Sequence, residues 1–386
     1  MSATQETLLQ VDNLHVSFPG SGGPVEAVRG ASMSVGRREV HALVGESGSG
    51  KSVTARSILG LLGDDGGRVD RGRILFRGED LLRAGPERLR AVRGGEIAMI
   101  FQEPGKHLNP AMKIRTQITE MLAAHRGMRE PQALRRAREL MQMVELGEGD
   151  RVLESYPHQL SGGQRQRALI AMAISCNPKL LIADEPTTAL DANIQGQIMR
   201  LLLKLRDELS MAVLFISHDL AVVQAVADRI SVIYAGSILE GAPAERLFAR
   251  PLQPYTDLLM RAIPDAAKRG RPLAAIPGTV PDAEHVPSGC PFHPRCPIAK
   301  EICSTQTPEL AEHEEAHYAA CHFAGALLRA GEDASGDESD GDAKGDGDAK
   351  GHGNTKSDGD ADRKGDGNQG TGPGSAAVPH TGGDDD

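Results

Sequence analysis

Val40-His41-Ala42-Leu43-Val44-Gly45-Glu46-Ser47-Gly48-Ser49-Gly50-Lys51-Ser52 is the stretch that decides the fold. Its first five residues, apolar but for His41, read as a strand buried on both faces. The next eight fit G-x-x-x-x-G-K-[ST], and a helix follows at once, with apolar Val53, Ala55, Ile58, Leu59 and Leu62. A buried strand that runs through glycines into a helix is a cradle for phosphate. The glycines let successive backbone N–H groups face the oxygens at the helix N-terminus, Lys51 supplies charge to the β and γ oxygens, and the Ser52 hydroxyl is placed to ligate Mg²⁺. A glycine-rich structural turn is the bland alternative, and the flanking strand and helix weigh against it.

Two more apolar runs, Leu180–Ala183 and Ala212–Ile216, alternate with amphipathic helical patterns between Leu8 and Ala244, which predicts an α/β layer fold. In such sheets the ligand lies beyond the carboxyl ends of the strands. The first run delivers Asp184-Glu185 there. Asp184 is placed to hold Mg²⁺ through water and Glu185 to polarise an attacking water as general base, a role worth ~10²- to 10⁴-fold. The second run delivers Ser217-His218-Asp219, where His218 can reach a γ-phosphate. A lone strand-end histidine is more often structural; its weight comes from its company. Between Gln102 and Leu160, residues 116–125 and 132–144 carry apolar side chains at helical spacing and predict a small helical insert, about 103–165.

Residues 331–386 hold 15 acidic and five basic residues and account for the whole formal charge of −10. The body is therefore neutral, which argues against a broad nucleic-acid-binding face. The start has no basic segment leading into an apolar core, so no secretory signal is expected, and no apolar run approaches the roughly 20 residues of a membrane span. Recurrent prolines from Pro251 to Pro297 forbid long regular elements and mark a loop-rich unit at 247–328, after a nucleotide-binding domain at 1–246. Residues 329–386, rich in Gly, Asp, Lys and Ser, lack the apolar surface to offset ordering entropy and read as a disordered tail.

Leu160-Ser161-Gly162-Gly163-Gln164 resembles the signature of ABC ATPases. A serine hydroxyl and two glycines at a helix N-terminus make a second anion site, too far along the chain to serve the first loop. The resemblance implies that two such subunits face each other and that each signature closes on the γ-phosphate held by its partner. It places Gln102 in the Q-loop, touching both Mg²⁺ and the reaction centre, Ala189-Leu190-Asp191 in the D-loop, and His218 as the switch histidine. It also extends the ATP-binding stretch from Gly45, Glu46, Ser47, Gly48, Ser49, Gly50, Lys51 and Ser52 to Val53, and gives Phe18 the role of stacking on adenine, although a strand Phe could equally be core.

Gly45–Ser52, Leu160–Asp191 and Gly289-Cys290-Pro291-Phe292-His293-Pro294-Arg295-Cys296-Pro297 are together similar to ATP-binding subunits of oligopeptide and dipeptide importers, a group that includes nickel importers. That likeness implies ATP hydrolysis at the cytoplasmic face of the membrane by a peripheral subunit. Its implied partners are two membrane-spanning permeases, an extracytoplasmic binding protein and a second, non-identical ATPase. Gly105-Lys106-His107 departs from the family pattern in a loop near the site where the permease docks. A non-transport ABC ATPase acting on DNA or ribosomes is the rival. Against it, the 57 residues between Gln102 and Leu160 leave no room for long coiled-coil arms.

Cys290, Cys296, Cys303 and Cys321 are spaced C-x5-C-x6-C-x17-C, without the C-x2-C knuckle common in structural zinc sites. Loop-borne thiolates at loose spacing suit a cubane whose irons are reached from several directions. The family resemblance implies a 4Fe-4S cluster at these cysteines. Zinc is the alternative, with His293, His317 or His322 able to replace a thiolate, and free buried thiols come third. Cys176 reads as core.

Overall fold

The computed structural model describes residues 6–63, 66–102, 107–187, 191–263 and 275–325. In chain order the first half carries β1 (Thr7–Gly20), β2 (Gly23–Gly36), β3 (Val40–Val44), α1 (Lys51–Ile58), β4 (Arg68–Phe76), β5 (Glu79–Asp80), α2 (Pro86–Val92), β6 (Ile97–Ile100), α3 (Ile114–Arg126), α4 (Glu130–Met143) and α5 (Gly149–Glu154). Next come α6 (Gly162–Ile174), β7 (Leu180–Asp184), α7 (Ala192–Leu209), β8 (Ala212–Ser217), α8 (Leu220–Val226), β9 (Arg229–Tyr234) and β10 (Ser237–Pro243). The remainder holds α9 (Ala244–Ala249), α10 (Pro254–Arg261), α11 (Glu301–Thr305), β11 (Ala311–Glu314) and β12 (His317–Ala319).

The strands form two sheets, one in the order β2-β1-β4-β5 and one in the order β11-β12-β10-β9-β3-β8-β7-β6. Within the larger sheet β9, β3, β8, β7 and β6 are mutually parallel. Their apolar runs are explained by burial on both faces. On β3, Val40, Ala42 and Val44 enter one hydrophobic core and Leu43 the other; on β7, Leu181 and Ala183 enter the first while Leu180 and Ile182 enter the second. Each fully buried Val, Leu or Ile among them contributes about 1.5–3 kcal/mol. The first core continues through α3, α4 and α6; the second is closed by the antiparallel sheet and α1.

Helices α3 and α4 fall where the three- and four-residue spacing predicts them; both pack on α6, and α5 packs against the pair. Sequence reading set residues 247–328 apart as loops and gave no hint that β12 pairs with β10, so that the β11–β12 hairpin extends the main sheet. Glu240, fully buried on β10, fixes that join. It accepts hydrogen bonds from the backbone N–H of Leu252 (2.7 Å) and Gln253 (3.1 Å) and lies 2.7 Å from His317 Nε2. The tail at 329–386 lies outside the described residues.

The one polar residue of β3, His41, faces the carboxylate that precedes the strand. His41 Nε2 lies 2.9 Å from the Ser231 hydroxyl, and its Nδ1 is 3.8 Å from Glu39, which also accepts the Gly36 N–H and faces Arg229 at 3.6 Å. Burial alone would raise the Glu39 pKa, but His41, the Gly36 amide and Arg229 together hold it below the usual value. A carboxylate depressed in the folded state stabilises above its unfolded pKa, and that contribution is lost as pH falls through the folded value. Glu39→Gln should therefore cost about 1–3 kcal/mol in urea melts at pH 7. The gap from the parent should close as pH falls through and below the ordinary carboxylate range.

Candidate active site

The phosphate loop joins β3 to α1. Glycine is required at two of its positions: a Cβ on Gly45 would lie 2.2 Å from the Ile233 carbonyl oxygen, and Gly50 has φ +101° with a Cβ position 2.8 Å from the Ala27 carbonyl. Lys51, 5% exposed, donates from Nζ to the carbonyls of Gly45 (2.9 Å) and Glu46 (2.8 Å). Burial pulls its ammonium below the usual pKa, while the charges of Glu185, Asp184 and Glu46 act the other way. The Ser52 hydroxyl donates to Asp184 Oδ1 at 3.1 Å.

The parallel register brings the acidic pair to this loop. Burial raises the Asp184 pKa and the neighbouring Glu185 charge adds to the rise, against the Ser52 hydrogen bond and Lys51. The Asp184 carboxylate at a buried strand end, with the Ser52 hydroxyl on it, offers oxygen donors that suit Mg²⁺. Glu185 sits at φ +46°, a left-handed conformation that costs a non-glycine residue about 1–3 kcal/mol and aims its side chain across the loop. Its carboxylate accepts from Gln102 Nε2 at 2.8 Å and lies 3.0 Å from His218 Nδ1. Side chains from the ends of β6, β7 and β8 thus meet on one carboxylate.

Lys51, Ser52, Val53, Gln102 and Glu185 line a cavity of ≈ 200 Å³. The signature lies apart from this cavity. Ser161 caps α6, accepting the Gln164 N–H at 3.3 Å while Gln164 Oε1 accepts the Ser161 N–H at 3.0 Å, and Gly162 and Gly163 open the helix. Asp191 caps α7 by accepting from Asn193 and Ile194. Ala189, Leu190 and residues 103–106 lie outside the described residues. Phe18 lines a separate cleft with Pro19, Gly66 and Arg68, its ring against Gly67.

Cys290, Cys296, Cys303 and Cys321 all line one small pocket with His293, His322, Phe292 and Phe323. Gly289, at φ +71° and with a Cβ position 2.3 Å from the Cys303 carbonyl, lets the Cys290 loop close on α11, where the Cys290 N–H donates to Cys303 O at 2.8 Å. Burial pushes the thiols of Cys290 and Cys321 up to about 11 and raises that of Cys296. The Phe323 N–H donates to Cys321 Sγ at 3.4 Å. Among the described residues no group of three or more His, Cys, Asp or Glu is arranged to hold a metal ion. The four sulfurs therefore ring a pocket and are not gathered on one point. His317 does not line the pocket; it is taken up by Glu240.

Residues 28–188 match the family described as ABC transporter, and residues 239–303 match the oligopeptide/dipeptide transporter C-terminal region. The oligopeptide transport ATP-binding protein AppD of Bacillus subtilis (strain 168) is 45% identical over 82% of this chain and 96% of its own length. The chain belongs to the ATP-binding subunits of peptide ABC transporters. The dipeptide transport ATP-binding protein DppD of the same organism is 43% identical over 82% of this chain and 94% of its own length. A dimeric post-hydrolysis structure of the ATP-binding cassette MJ0796, bound to ADP and Pi, superposes with a TM-score of 0.54. That cassette is 28% identical, and the match covers 61% of this chain and 98% of the cassette.

Like its family, this ATPase subunit carries its nucleotide motifs in readable order, yet part of its cavity wall was not legible. Pro281, Ala283 and Val286 line the cavity from the C-terminal segment, beside Glu26 and Ala27 of β2. Arg29 Nη2 donates to the Ala283 carbonyl at 3.1 Å. No local motif marks these residues.

Glu185→Gln should keep ATP binding and accumulate a nucleotide-bound closed dimer by size-exclusion chromatography, with turnover down ~10²- to 10⁴-fold. Lys51→Ala should weaken nucleotide binding by ~10- to 100-fold in direct titration. Wild-type turnover in either variant would remove the role given to that residue.

Proposed function

We propose that this chain energises uptake of di- or oligopeptides from the cytoplasmic face of the membrane. In this reading it is paired with a second, non-identical ABC ATPase under two permeases, and an extracytoplasmic binding protein feeds the complex. The observation that carries the reading is the pairing, in one chain, of the ABC transporter match at residues 28–188 with the peptide-transporter C-terminal match at 239–303. No helix among the described residues is long and apolar enough to cross a membrane, so the reading needs permease subunits.

The mechanism follows from the residues. The loop amides of Gly45–Ser52 and the Lys51 ammonium hold the β and γ phosphates, and Phe18 is read as the ring that stacks on adenine. Ser52, Asp184 and Gln102 would hold Mg²⁺, which when bound neutralises phosphate charge. Glu185 takes a proton from the attacking water, with Gln102 and His218 fixing its two oxygens. Ser161, Gly162, Gly163 and Gln164 complete the site of the facing subunit, with Asp191 at the seam. Their separation from this chain's own cavity supports that arrangement. An apolar cleft of ≈ 210 Å³ between Met99, Phe101, Met121, Leu169 and Met172, beside Gln102, supports docking of a permease helix.

The four-cysteine pocket is read as a 4Fe-4S site. Its support is chemical: four cysteine sulfurs ringed about one pocket, one of them accepting the Phe323 N–H at 3.4 Å. The centre would staple the loops around α11.

The transport reading is tested in liposomes holding the subunit with its permeases. ATP hydrolysis should rise when binding protein loaded with a di- or oligopeptide is added. Stimulation by a nickel-loaded or oligosaccharide-loaded binding protein instead would reassign the cargo. Protein purified without oxygen should show a broad band near ~400 nm and about four irons per chain. Stoichiometric zinc without colour would make the pocket a structural zinc site.

A further inference from the structure

Arg295 lies within the cysteine-bearing segment, one residue before Cys296, yet its side chain points at the phosphate loop. It is 6% exposed, and its Nη1 donates to Glu46 Oε2 at 3.0 Å and to the Tyr234 hydroxyl at 3.3 Å. Its Nε donates to the Pro277 carbonyl at 2.7 Å and its Nη2 to that of Ile276 at 3.4 Å. The guanidinium carbon stands 5.7 Å from the ring centre of Tyr234 and 5.9 Å from that of Phe292. Those two rings and Tyr255 pack as a trio with centroids 4.8–5.3 Å apart. An arginine with every edge engaged in a nearly dry pocket is a fixed post.

Glu46, the second residue of the phosphate loop, is held on three sides. Its carboxylate takes Arg295, its N–H donates to the Tyr255 hydroxyl at 2.9 Å, and its carbonyl accepts Lys51. Two of those holds come from residues beyond the cassette strands. The third is the lysine that must turn from the loop carbonyls to the phosphates when ATP enters. The backbone that Arg295 holds at Ile276 and Pro277 leads directly to Pro281, Ala283 and Val286 on the cavity wall. One guanidinium therefore fixes both the loop that receives the phosphates and the chain that faces them.

Charge gives the arrangement a consequence that packing alone would not. The Glu46 carboxylate is part-buried beside the site of a tetra-anionic ligand, and its Oε1 is buried without a hydrogen-bond partner. Arg295 neutralises it. With Arg295 gone, Glu46 would stand as an unpaired, part-buried negative charge next to incoming triphosphate.

We propose that Arg295 is a positioning residue for ATP binding: from the C-terminal segment it neutralises Glu46 and holds the phosphate loop open for nucleotide. The role goes beyond the importer reading and does not depend on which group the four thiols hold. It makes nucleotide affinity a function of whether the C-terminal segment is folded against the cassette, and by linkage ATP should in turn stabilise that segment.

The test is titration of the full-length subunit with a fluorescent ATP analogue, together with steady-state KM and kcat and metal analysis of the same samples. Arg295→Gln should raise Kd and KM for ATP by ~10-fold or more, with the loss falling on KM rather than kcat. Adding Glu46→Gln to that variant should recover at least about threefold of the lost affinity, because the unpaired charge is removed. Should the Gln variant fail to fold, Arg295→Lys replaces it; its affinity should fall between parent and ~10-fold weaker, and Glu46→Gln should again restore part of the loss. Parental ATP affinity in a folded Arg295→Gln or Arg295→Lys variant, or a double variant binding no more tightly than the single one, would overturn the proposal.

Discussion

The parallel register of β3, β8 and β7 is the constraint on which the site depends. Val44 stands opposite Ser217, and Asp184 opposite Ile216, so three strands finish level at one edge of the sheet. The phosphate loop, the acidic pair and His218 leave those strand ends within hydrogen-bonding reach of one another. A slip of one residue on any strand would turn every side chain to the other face. The two cores prevent that slip, because each strand sends alternate residues into each of them.

Around that edge the molecule combines stability with deliberate local cost. Burial holds Lys51 and Asp184 away from their ordinary ionisation, and Glu185 occupies a left-handed backbone position. These costs sit where a nucleotide phosphate and its cation would bring opposite charges. The fully buried sheet supplies the rigidity that lets them persist. The C-terminal segment serves the same edge from a distance, with Arg295 reaching Glu46 across 249 residues of sequence.

What could be read in advance follows from this physics. Strands β3, β7 and β8 were legible because burial on both faces leaves unbroken apolar runs, and Asp184, Glu185 and His218 because each follows such a run within one or two positions; Lys51 was read from the phosphate-loop motif and Gln102 from the family resemblance. Of the antiparallel strands, β1 was seen only as the strand that carries Phe18, and β2 was not seen. Their pairing shifts register several times, and consecutive residues such as Leu14–Ser17 are all buried while others are exposed, so no clean alternation reaches across their 14 residues each. The C-terminal segment was least legible. Its prolines erase periodicity, and the contacts that place it, Glu240 with His317 and Arg295 with Glu46, join residues far apart in the chain. Four cysteines near one another in sequence were visible; their convergence on one pocket came from the fold.

The most direct test of the site is vanadate-dependent photocleavage of the assembled ATPase pair with Mg²⁺ and ADP, with cut positions mapped by mass spectrometry. Trapped vanadate occupies the γ-phosphate position and cleaves backbone beside it on irradiation. The account predicts cuts within Gly45–Ser52 of this chain and, when the facing subunit holds the vanadate, within Leu160–Gln164. Cleavage confined to other segments, or at 45–52 and 160–164 in an isolated monomer, would contradict a site completed across two subunits.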